Sequence, residues 1–169
     1  MDNLKSFCML TPIRCANFAE AACVCLEKSG HLPGVILKVE GSYSDSLILK
    51  WAQLHPEVFS SWENLDETVE TAAYALAIFC IWEITSYQII RQSTKGSGFD
   101  FWLGGKSEQV PFRGKAKLEV SGILRGSRGQ INFRVKEKLQ QASQSQQTDV
   151  PVVVVVVEFS RPLAKIASQ

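Results

Sequence analysis

An α/β fold with a central mixed β-sheet flanked by helices is predicted for this 169-residue chain. Three observations predict it. Helix- and strand-patterned segments follow one another in the order α, β-hairpin, long α, β, β, α, β, which a sheet with helices on both sides accommodates. "PVVVVVVEF" (151–159) is a continuous β-branched run, as expected of a strand covered on both faces near a sheet's centre. The helix-patterned segment before it, placed after the strand-patterned "KLEVSGIL", suits a right-handed crossover between parallel strands.

The elements follow in order. "NFAEAACVCLEKSG" (17–30) has good helix formers, a Lys near its end and Gly30 as a stop. "GVILKVEGSYSDSLILKW" (34–51) reads as a hairpin turning at "GSYSDS". The segment 65–91, "LDETVETAAYALAIFCIWEITSYQIIR", is the strongest helix, opened by a capping box between Asn64 and Glu67. Its apolar stripe runs Val69, Ala73, Leu76, Cys80 and then meets Glu83 and Tyr87, so a carboxylate falls on the inward face. Strands are predicted near 98–104 and 115–124, followed by a tight basic turn, "RGSRG". "INFRVKEKLQQASQ" (131–144) is an amphipathic helix with Ile131, Val135, Leu139 and Ala142 inward and Arg134, Lys138 and Gln141 on a neighbouring polar face.

The 46% apolar and 21% charged composition is that of a folded protein, and the length suits one domain, 1–169. No long uncharged apolar run predicts a membrane span, and the first residues make a poor secretory signal. Five cysteines without CxxC spacing favour reduced thiols and a cytoplasmic location, and Cys15, Cys23 and Cys25 read as helix packing rather than a zinc site with His31. The net charge of +1 hides a division: residues 1–90 carry five Lys/Arg against eleven Asp/Glu, and residues 91–140 carry eleven against four. A positive segment of that kind attracts phosphate, although for a charge cluster taken alone a solvated face balanced by the acidic half is the commoner explanation. The four tryptophans read as packing rather than stacking platforms.

Two acids lie inside neighbouring predicted strands, Asp100 and Glu119, where carboxylates are disfavoured. With the hairpin centred between residues 109 and 110, they lie opposite one another, Cβ atoms about 5 Å apart. Two carboxylates that close repel unless a cation stands between them. Strand alternation places Lys117, Glu119 and Ser121 on one face of their strand, and Asp100 and Trp102 on the same face of the neighbouring one, so an amine and an aromatic border the pair. Other partners remain open: Asp100 as a cap of the "KGSG" turn, and Glu119 in an ion pair with Arg113, Lys115 or Lys117.

An Asp in one strand and a Glu in the next, followed by a helix and a further strand, resembles the PD-(D/E)XK nuclease-like superfamily. The likeness covers about 65–160 and implies a restriction-endonuclease-like core of αβββαβ type, with residues 1–63 as a helix-and-hairpin extension. It implies Mg²⁺ held by Asp100 and Glu119, Glu83 as the auxiliary helical acid, and a lysine assisting the attacking water. The family's lysine lies two residues after the Glu, where this chain has Ser121. Lys117 is the expected substitute, with Lys136 or Lys138 as further sources of the amine. Arg125, Arg128, Arg134 and Lys138 are the expected grip on a nucleic-acid backbone. The resemblance thus implies a protein that binds nucleic acid and cleaves it with Mg²⁺. The alternative implied by Ser121 is a catalytically inactive module acting in DNA binding or in assembly with a protein partner or a second copy.

Overall fold

The valine run forms the middle of the molecule. In the computed structural model, which describes residues 3–106, 115–143 and 150–169, Val152–Glu158 is a strand buried along its whole length. Its odd valines, Val153, Val155 and Val157, join one hydrophobic cluster and its even ones join another on the opposite face. That two-sided burial is why an unbroken β-branched run is wanted there.

The helices are α1 (Pro12–Lys28), α2 (Leu65–Ile84) and α3 (Arg128–Ser143). The strands are β1 (Ile36–Gly41), β2 (Asp45–Ile48), β3 (Tyr87–Gln92), β4 (Phe101–Gly105), β5 (Ala116–Ile123), β6 (Val152–Glu158) and β7 (Leu163–Ser168). They form one seven-stranded mixed sheet in the order β2-β1-β7-β6-β5-β4-β3. Strands β3, β4 and β5 run as an antiparallel meander, and β6 returns parallel to β5 after α3. β7 pairs antiparallel with β6 and parallel with β1, so the N-terminal hairpin joins the same sheet. Among the described residues no helix is long and apolar enough to cross a membrane.

Several elements differ from expectation, among them β4, which begins at Phe101 rather than near 98 and leaves Asp100 in the bend before it. α1 begins at Pro12, with Thr11 as N-cap accepting from the Arg14 N–H, because Pro preset in the first turn is compatible with a helix start. The long helix stops at Ile84 rather than reaching residue 91. Thr85 is extended and turns its backbone N–H and its hydroxyl back onto the Ile81 carbonyl, and "YQIIRQ" becomes β3 with Gln88, Ile89 and Ile90 buried. β7 was not anticipated at all. Arg113 and the segment 144–149 lie outside the described residues.

α1 and α2 cover one face of the sheet and α3 the other. The approach of α2 to β5 is set by Gly122: a Cβ there would stand 2.4 Å from the Val69 carbonyl oxygen and 2.7 Å from the Val69 Cγ1. Backbone cannot give way as a side chain can. Gly122→Ala is therefore expected to destabilise the protein by about 1–3 kcal/mol, read as a lower urea midpoint at unchanged slope. An unchanged midpoint would mean that α2 is free to shift.

Candidate functional site

Close packing at Gly122 brings the N-terminal half of α2 beside the start of β4, where Asp100 sits. β4 pairs with β5 so that Phe101 faces Leu118 and Trp102 faces Lys117. Asp100 is the bend residue just before β4 rather than inside a strand as expected, and one further step of the same register would set it opposite Glu119. The Asp100 backbone N–H donates to the Leu118 carbonyl at 2.9 Å. Its Oδ2 accepts from the Val120 N–H at 2.8 Å, and its Oδ1 from the Tyr74 hydroxyl at 3.1 Å. The carboxylate thus belongs to β5 and α2, and the preceding turn is closed instead by the Ser97 hydroxyl, which donates to the Phe99 carbonyl at 2.9 Å.

Glu119 is 3% exposed. Its Oε1 accepts from the Lys138 ammonium of α3 at 2.6 Å, and Lys138 also reaches Gln141 at 3.2 Å. Burial, then the Asp100 charge, pushes Glu119 up to about 7 against the pull of Lys138. Burial also raises Asp100, opposed by the Val120 N–H and the Tyr74 hydroxyl. Burial, then Asp100 and Glu70, raises the Tyr74 hydroxyl as well, which keeps it a donor. Near neutrality, with no cation bound, the pair therefore retains a proton: two carboxylates this close and this dry resist ionising together.

The pair opens into a cleft of about 580 Å³ whose walls include Glu70, Lys138, Gln141 and the 92–98 loop. A second cavity of about 390 Å³ shares Glu70 and Lys138 with it and is lined further by Asp66, Ser121 and Arg134.

Of the residues expected at a site, the structure brings Asp100, Glu119, Lys138 and Arg134 together. Lys117 shares a strand face with Glu119 and is 1% exposed, but its ammonium stands 5.8 Å from the Phe99 ring and does not line the cleft. Glu83 is exposed in the last turn of α2, thirteen residues past Glu70 and so roughly 20 Å further along the helix. The helical acid at the cleft is Glu70, whose Oε1 accepts from the Tyr74 hydroxyl at 3.2 Å. Arg128 makes a two-pronged pair with Glu40 of β1 at 2.9 and 3.2 Å, and Arg125 is exposed in the turn after β5; neither lines these cavities. Ser121, in the position of the family's lysine, accepts from the Arg134 guanidinium at 2.9 Å.

Glu70 and Tyr74 were not anticipated. They stand four residues apart on one face of α2, and that spacing was the available signal. The apolar stripe drew attention to the other end of the helix.

Among the described residues no group of three or more His, Cys, Asp or Glu side chains is arranged to hold a metal ion. The oxygen-only pair does suit a hard cation such as Mg²⁺, which keeps several waters and is commonly bound by one or two carboxylates. No protein-family model, curated protein or solved structure matches the chain.

Proposed function

We propose that this protein is a PD-(D/E)XK nuclease-like phosphodiesterase that binds nucleic acid and cleaves it with Mg²⁺. One observation carries the reading: the half-buried Asp100 and the buried Glu119 border one cleft, with the Lys138 ammonium 2.6 Å from Glu119. The order α2-β3-β4-β5-α3-β6, with β6 parallel to β5, supports it because the resemblance implies an αβββαβ core.

Each residue then has a physical task. Asp100 and Glu119 would hold the cation, which would supply a bound water of lowered pKa and neutralise charge on the phosphate. The Val120 N–H and the Tyr74 hydroxyl fix the direction of Asp100. Lys138 takes the place of the motif lysine, offsetting the charge of the pair and standing ready to stabilise negative charge developing on the phosphate. Arg134 extends the positive wall toward the neighbouring cavity.

A second reading has its own observation. Ser121 replaces the motif lysine and Arg134 occupies it, which favours an inactive binding module. Incubating the full chain with single- and double-stranded nucleic acid and Mg²⁺ or Mn²⁺, against Asp100→Asn/Glu119→Gln, separates the two. Cation-dependent cleavage lost in the double variant supports the nuclease reading. Equal cleavage by both proteins removes it, and cation-independent binding without cleavage favours the module.

A further inference from the structure

The 92–98 loop of the cleft also serves a third cavity, of about 450 Å³, completed by Arg91, Phe99 and Trp102. Among the described residues no carboxylate lines it. Arg91 and Lys95 bring two positive charges, and Ser93, Thr94 and Ser97 bring hydroxyls. The Arg91 guanidinium lies over the Trp102 ring, 5.2 Å from its centroid, and Phe99 meets that ring edge-on at 4.8 Å. Trp102 is thereby braced in place yet only half-buried. The volume falls in the range of about 300–1,000 Å³ typical of small-molecule sites. Cations, hydroxyls and an aromatic plane without an acid are the chemistry of a nucleotide: phosphate on the cations, base on the ring.

We propose that this cavity holds one nucleotide of a single-stranded segment leaving the cleft, its phosphate on Arg91 and Lys95 and its base against the Trp102–Arg91 stack. The inference rests on the nucleic-acid reading of the cleft and adds strandedness to it. Continuity comes from the shared loop, since Gln92 through Ser97 line both cavities. Strandedness comes from the recessed ring, which a base inside a duplex does not reach whereas an unpaired base does. A tryptophan that sequence alone assigns to packing thus has a second use.

The test is fluorescence anisotropy of the full chain with a labelled oligothymidylate and, separately, a labelled hairpin duplex, in Ca²⁺ over a range of salt. Arg91 and Lys95 are exposed, so Arg91→Ala/Lys95→Ala leaves the fold intact, as a thermal melt verifies. This variant is expected to bind the oligothymidylate at least tenfold more weakly than wild type. Its log affinity should fall less steeply with log salt by about 0.7, the share of the one phosphate held by both side chains. Trp102→Leu should weaken the single strand and spare the duplex. Unchanged affinity and slope in the double variant overturn the proposal, as do equal losses on strand and duplex or no wild-type binding of the strand. If Asp100→Asn/Glu119→Gln abolishes cleavage while Arg91→Ala/Lys95→Ala binds normally, the cavity assignment falls and the cleft reading stands. If that binding is lost in a protein that never cleaves, the cavity assignment stands and the nuclease reading falls.

Discussion

Lys138→Met is expected to slow Mg²⁺-dependent cleavage about 10²–10³-fold, the usual loss when one preorganised donor to a developing oxyanion is removed. Lys117→Met, assayed where both variants are folded, should leave the rate little changed. Both lysines were sequence-level candidates for the missing amine, and geometry separates them: one ammonium lies 2.6 Å from Glu119, the other beside the Phe99 ring. Asp100→Asn/Glu119→Gln should cost more, at least 10³-fold, because it removes the cation's several kcal/mol of charge stabilisation. Calorimetry distinguishes the two kinds of loss. Lys138→Met should still bind Mg²⁺ or Mn²⁺, whereas the double variant should not. A Lys138→Met protein that cleaves at the wild-type rate would reject the amine assignment without touching the acids.

What the sequence disclosed about this site was mostly a matter of period two. Equal run lengths on either side of a loop centred near 109–110 are enough to place Asp100 opposite Glu119, and the register of Phe101 on Leu118 agrees. Alternation likewise puts Lys117 and Glu119 on one face. It does not say which way along that face a long side chain runs, and Lys117 runs toward Phe99. The helix was harder. "IWEITSYQII" is apolar enough to continue α2, and periodicity does not separate a helix end from a buried strand. Only the back-bonding of Thr85 and the pairing of β3 with β4 decide it. A helix carried through to residue 91 puts its C-terminal acid, Glu83, on the inward stripe. The acid beside the cleft is near the other end, delivered by the contact at Gly122 that no local pattern announces. The basic turn shows the same limit: Arg128 belongs to the positive segment, yet its partner is Glu40, 88 residues away in the chain.

The buried pair also gives stability a pH dependence whose sign is fixed. Glu119 is held up to about 7 against an ordinary 4.5, so the folded state favours its protonated form. The stabilisation from that proton is complete below about pH 4.5 and is lost as pH rises toward 7. Asp100, also raised, acts in the same direction. In buffer without divalent cations, wild type should lose on the order of 3 kcal/mol across that window relative to Glu119→Gln, whose amide does not titrate. Thermal melts of both proteins between pH 4.5 and 8 read this as a Tm difference that moves in favour of Glu119→Gln as pH rises, at about 2–4 °C per kcal/mol for a chain of this size. Measuring the difference between the two proteins cancels the contributions of carboxylates elsewhere in the chain. Mg²⁺ or Mn²⁺ should then restore wild type at pH 8, where both acids are free to bind it, and do little at pH 5, where a proton must first leave. A wild-type curve parallel to that of Glu119→Gln would mean that Glu119 ionises as an ordinary carboxylate, and with it the case for a cation between the strands would fail.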